Sequence, residues 1–248
     1  SLAAGDLTVT NVSWANGGLT IAARRTLNVM GAAASFTASG TINVTGASLS
    51  ARNGGSLSLP TLGSYQDSNV CCGALLEANG AGSSLNLSGL TNLTGDVTWQ
   101  LTIRALAGGT VNLSNVVQLG DGHVYMLADG SNSVVHLAGL TAYTGGRLLT
   151  LEARNSGSIQ SPNLTDASGA AITLGATGDL PTSQLRRFGE LSVSGQIRTL
   201  PLVTNVDGST LHAFSGATVT LPALTSYSDA FAGCCGALWE ANGAGAAL

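Results

Sequence analysis

The chain is 248 residues long and 44% hydrophobic, but only 9% charged and 4% aromatic, with 34 glycines and no lysine. A disordered chain would be less apolar and more charged. A helical membrane protein would need runs of about 18 or more apolar residues, and a nucleic-acid binder would need a basic surface rather than a net charge of −4. Helix formers are scarce, whereas Gly, Ser, Thr, Val and Leu abound, which predicts many short strands joined by many turns. The chain opens at Ser1 with no charged-then-apolar leader, as expected of a mature or excised segment.

Along the chain a unit of about 24 residues recurs. It begins at Leu57, Leu85, Val111, Val135 and Ile159, skips an irregular stretch, and returns at Arg198 and Val219. Each start is followed two residues later by Leu or Ser, and most are followed eight residues later by Leu or Tyr, so that Tyr65, Leu93, Leu119, Tyr143 and Tyr227 align. A second apolar strand precedes each unit, at Leu49, Leu76, Ile103, Leu127, Leu151 and Leu211, across small-residue turns such as Asn53-Gly54-Gly55 and Ala107-Gly108-Gly109. Strands this short do not stand alone. Stacked in parallel about 4.8 Å apart, each coil supplies the hydrogen bonds and apolar contacts that the next one lacks. Parallel crossovers prefer one hand, so the expected fold is an all-β, right-handed parallel β-solenoid. About ten coils form a single domain, 1–248, roughly 50 Å long. Proline supports the alignment independently: Pro60, Pro162, Pro201 and Pro222 share one repeat position and only Pro181 does not. A residue unable to donate to a ladder marks a corner. The rival leucine-rich repeat has an overlapping period, but its Asn column and intervening helices are missing.

A larger repeat overlies the first. Asp67, Cys71-Cys72-Gly73-Ala74-Leu75 and Glu77-Ala78-Asn79-Gly80 return as Asp229, Cys234-Cys235-Gly236-Ala237-Leu238 and Glu240-Ala241-Asn242-Gly243. The super-repeat of about 162 residues spans seven coils, about 34 Å of rod, with copies at approximately 1–162 and 163–248, the second incomplete.

Four sets of side chains carry candidate chemistry. The vicinal pairs Cys71–Cys72 and Cys234–Cys235 lie seven coils apart, too far to bridge each other when a disulfide needs Cα atoms within about 7 Å. The options are a vicinal disulfide in each loop, cross-links between chains or reduced thiols; an exported protein favours oxidation, and vicinal bonds as rigid turn elements are the expectation. Beside such a ring, Tyr65, Tyr227 and Trp239 are candidate glycan contacts. Asp67, Asp121 and Asp229 share one repeat position and are candidate Ca²⁺ ligands; no other cofactor is expected. Glu77 and Arg104 meet across adjacent coils as an ion pair. A threonine column (Thr91, Thr141, Thr165, Thr204, Thr225) stands beside a mixed column that includes Ser64, Asn92, Gln118 and Ala142, too irregular for ice binding. The carboxylates are scattered and no nucleophile, metal-protease or phosphate-loop motif occurs, so no enzymatic activity is expected.

The turns typified by Leu76-Glu77-Ala78-Asn79-Gly80, coils such as Leu87-Ser88-Gly89-Leu90-Thr91 and the lysine-free, Ser/Thr/Asn-rich faces resemble the large bacterial extracellular β-solenoid repeat proteins, adhesin-like and filament-forming. That resemblance implies a secreted or surface-bound structural rod that assembles with itself. It further implies no membrane insertion and no nucleic-acid partner, with extracellular polysaccharide as a candidate contact. The alternative it allows is a glycan-binding adhesin module working through the Tyr/Trp/Cys-Cys loops.

Overall fold

A computed structural model describes residues 1–67, 71–146, 148–228 and 238–248. The described residues contain no helix. Strands stack in parallel as a β-solenoid of about nine turns, one fewer than the period suggests. The first sheet has 11 strands. In stacking order they are Leu7–Thr10, Thr26–Met30, Ser48–Arg52, Leu75–Asn79, Leu101–Leu106, Val124–Asp129, Leu149–Arg154, Asp166–Leu174, Arg187–Ser194, Thr210–Phe214 and Trp239–Asn242. The second sheet has seven strands, from Ser13–Asn16 to Ser158–Gln160. The third has three: Ser64–Gln66, Asn92–Thr94 and Gln118–Leu119. Two short pairs, Leu19–Thr20 with Ile42–Asn43 and Ile197–Thr199 with Thr218–Thr220, complete the coils near either end.

Period-two alternation sets which side chains enter the core. In Leu101–Leu106, Leu101, Ile103 and Ala105 point inward while Thr102, Arg104 and Leu106 point outward. Ladder pairing lines up Leu27, Leu49, Leu76, Ile103, Met126, Leu151, Ile172, Leu191 and Leu211 in one buried column. The sequence alignment placed Leu127 in that column. The structure puts Met126 there and turns Leu127 outward between Arg104 and Glu152. Two adjacent apolar residues leave the register open by one; Val124 and Ala128, both inward, settle it, because a slip would bury Tyr125 and Asp129 instead.

The corners explain the punctuation residues. In the second-sheet corner, the backbone N–H of Leu62 donates to Leu59, that of Leu164 to Ser161 and that of Leu224 to Leu221. Each proline of the shared column is thus the second residue of a β-turn, where its fixed φ fits and no N–H is required. Where serine replaces it, the N–H is satisfied locally: Ser88 donates to the Asn86 side chain and Ser114 to that of Asn112. In the first-sheet corner, Gly55, Gly109 and Gly157 alternate coil by coil with the buried Ser83 and Ser133. A Cβ on Gly109 would lie 2.3 Å from the carbonyl oxygen of Ala78. Ser83 and Ser133 instead reach back, accepting from the N–H groups of Gly54 and Gly108 at 2.9 Å.

The irregular stretch of the sequence is a pair of short coils. Asp166–Leu174 continues from the third side into the first sheet, its register to the next strand shifting between Ala167 and Ala171. No loop is inserted there, so Ile172 and Leu191 are only 19 residues apart, against 28 between Leu211 and Trp239.

Candidate functional site

Loops accumulate at one corner, where the third side turns into the first sheet. Four consecutive coils carry them, with described residues at 67, 71–74, 95–100, 120–123, 144–146 and 148, before the straight passage at Asp166–Leu174. The loops are latched to one another. Asp67 is buried and its Oδ2 accepts the Ala74 N–H at 2.9 Å, closing the first loop. Asp96 Oδ1 accepts the N–H groups of Thr98 and Trp99, while its carbonyl takes the His123 N–H at 2.9 Å. Gly122 packs so closely on Gly95 that an added Cβ would sit 2.4 Å from its carbonyl carbon.

This corner gathers several sequence candidates and rearranges their roles. Asp67 and Asp121 do take equivalent positions, but two coils apart with Gly95 between them, and the Asp67 carboxylate is spent on its loop. Among the described residues no group of three or more His, Cys, Asp or Glu side chains is placed to hold a metal ion. Asp229, Cys234 and Cys235 lie outside the described residues. Cys71 and Cys72 are two free, exposed thiols; the expected vicinal bond is not made between them in this structure. Cys72 has a φ of 79°. Its hydrogen bond with Cys71, then burial and the neighbouring charge of Cys71, push its thiol above the ordinary range, against the pull of Arg24.

Of the three aromatic candidates, Tyr65 cannot offer its ring to a ligand. It is 2% exposed and its hydroxyl donates to the Ala47 carbonyl at 2.8 Å. Its column explains this, since Leu93 and Leu119 pair with it in turn. Burial, then the charge of Asp67, drive its phenol far above the usual range. Tyr227 is exposed and its ring meets that of Trp239 at 4.9 Å, while Trp239 Nε1 donates to the Ser209 carbonyl. That pair lies in the second copy of the super-repeat, several coils beyond the four loop-bearing ones.

The corner also holds a groove that the repeat alignment did not single out. It has a volume of about 370 Å³ and is lined by Asn92, Thr94, Gln118, Asp121, Tyr143 and Thr144 among others. The cause is a break in the third-side ladder. Gln118–Leu119 is an edge strand, and Ala142 bridges onward to Asp166 rather than back to Gln118. Tyr143 forms the inner wall; burial, then the Asp121 charge, raise its phenol pKa.

A second polar cluster covers the outer face of the first sheet. Glu77 is fully buried between Arg52 (2.7 Å) and Arg104 (2.5 Å), so the expected pair is a triad. Two coils on, Tyr125 donates to Glu152 at 2.7 Å, and Arg154 bonds both Glu152 and Asp129 at 2.9 Å. Burial works to raise the Asp129 pKa, but hydrogen bonds from Asn155 and Arg154 outweigh it and hold the carboxyl below its usual value. The carboxylates that looked scattered in sequence share one face because Glu77, Arg104, Leu127 and Glu152 form a single ladder. Within it each charge is answered by a neighbour.

No protein-family model, curated protein or solved structure matches the chain, so the corner, the groove and the charged ladder stand on their own geometry.

Proposed function

We propose that the protein is a non-enzymatic structural module of an extracellular surface fibre, sheath or adhesin stalk, self-associating end to end. The observation that carries this reading is the continuous parallel stack of about nine turns, which any further parallel strand can extend. Among the described residues, Leu7–Thr10 and Trp239–Asn242 are the outermost strands of the first sheet. A parallel stack displays opposite edges at its two ends, so one copy adds to the next head to tail, and such a heterologous contact is open-ended. Apolar surface accompanies the second edge: Leu238 is 51% and Leu248 46% exposed, beside a cavity of about 300 Å³ lined by Leu211, Leu221, Leu224 and Trp239. The lysine-free composition fits, since lysine is a common guard against edge pairing. In an oxidising extracellular setting Cys71–Cys72 and Cys234–Cys235 close as vicinal disulfides. Alkylation without reductant then adds no mass to either pair, whereas two groups per pair contradict the bond.

Analytical ultracentrifugation over a range of concentrations tests the assembly. The wild-type chain shifts to heavier species as concentration rises, and Ala241→Lys, which puts an inward charge on the edge strand, stays monomeric. A wild-type chain that remains monomeric throughout, or a variant that assembles equally well, overturns the reading. A glycan-binding adhesin module is the second reading, favoured by the exposed Tyr227 ring against Trp239.

A further inference from the structure

We propose that the groove between residues 117–121 and 142–145 binds a neutral saccharide without cleaving it. The site differs from the Tyr227–Trp239 pair and does not depend on end-to-end association, because a single chain contains all of it.

The break in the ladder is what makes the site. Ser64, Asn92 and Gln118 pair in register over three coils; then one coil ends its pairing at Gln118–Leu119 and the next pairs away from it. The resulting hollow, about 370 Å³, falls within the range of small-ligand sites. Its polar groups suit hydroxyl pairs. A carboxylate such as Asp121 accepts two hydrogen bonds, the amides of Asn92 and Gln118 both donate and accept, and the hydroxyls of Thr94 and Thr144 do likewise. Among the described residues, the Gln118 and Asp121 side chains make no hydrogen bond that a ligand would have to displace. Val117, 54% exposed at the rim, offers an apolar patch to the C–H face of a sugar ring.

Charge selects the class. Asp121 is the only charged side chain among the described lining residues, so the groove disfavours uronates, sulfates and phosphates. It also argues against hydrolysis. Glycoside cleavage ordinarily uses two carboxyl groups flanking the scissile bond, and the lining supplies one.

Amide NMR titration of the intact chain with maltotriose, cellotriose, N,N′,N″-triacetylchitotriose and trigalacturonate tests the proposal. At least one neutral trisaccharide shifts the signals of residues 117–121 and 142–145 and is recovered uncleaved, while trigalacturonate binds at least tenfold more weakly. Asp121→Ala and Gln118→Ala each weaken that binding about tenfold or more, the scale of a lost charge-assisted or well-placed hydrogen bond. Both positions are exposed, and an unchanged circular dichroism spectrum shows that the variants fold. The proposal falls if no neutral trisaccharide shifts these residues at millimolar concentration, if the shifts centre on Tyr227 and Trp239, or if both variants bind as tightly as the parent chain.

Discussion

At the residue scale, the Arg52–Glu77–Arg104 triad shows how one solenoid position controls a sheet face. The Glu77 side chain is fully buried, whereas the two arginine side chains remain 39% and 35% exposed. Removing the cations therefore strands a desolvated carboxylate, but removing the anion leaves two guanidinium groups that can turn to water. Arg52→Ala combined with Arg104→Ala is expected to cost about 3–5 kcal/mol, and Glu77→Gln about 1–2 kcal/mol, by chemical denaturation. Equal losses would contradict the burial asymmetry. Tyr125 gives a pH test on the same face. Burial first, then its hydrogen bond to Glu152, push the phenol up to about 12. Because the folded value lies above the unfolded one near 10, this stabilisation is complete below pH 10 and is lost as pH rises toward 12. Alkaline unfolding curves of Tyr125→Phe should be flatter over that window; an unchanged slope would refute the contribution.

At the element scale, the strand Val124–Asp129 and the first-sheet corner make the register testable. Met126 is inward and fully buried, while Leu127 is outward though covered by its neighbours. Met126→Ala should cost about 2–5 kcal/mol as a core cavity, and Leu127→Thr about 1 kcal/mol, measured by thermal or urea unfolding. The reverse order would restore the register read from the sequence. Gly109→Ala forces a Cβ to 2.3 Å from the Ala78 carbonyl and should cost about 1–3 kcal/mol; a neutral effect would mean that the coils do not approach so closely. Much of this level was legible beforehand. The shared proline column marked the β-turn corner, and the second-sheet starts from Leu57 to Ile159 pair as aligned. Tyr65 was misjudged although its own column, with Leu93 and Leu119, already pointed inward. The groove was illegible for a different reason: Ala142 bridges to Asp166 and not to Gln118, and alternation along a strand does not encode which neighbour it pairs with.

At the scale of the whole molecule, one stack carries both of the segments that match in sequence. Ser48–Arg52 and Thr210–Phe214, the strands at the start of the two matching segments, are seven steps apart in the first sheet. Most Leu and Val side chains occupy inward columns and most Ser, Thr and Asn outward ones, so a chain with few charges keeps both a continuous core and a polar skin. The central claim is that these coils form a rod whose open parallel edges stack on further copies. Cryo-electron microscopy of the concentrated chain tests it most directly. The prediction is unbranched fibres with strands across the axis, a spacing of about 4.8 Å along it and a chain-to-chain repeat of about 50 Å. Discrete single rods at every concentration, or fibres joined side to side with both strand edges free, would contradict it.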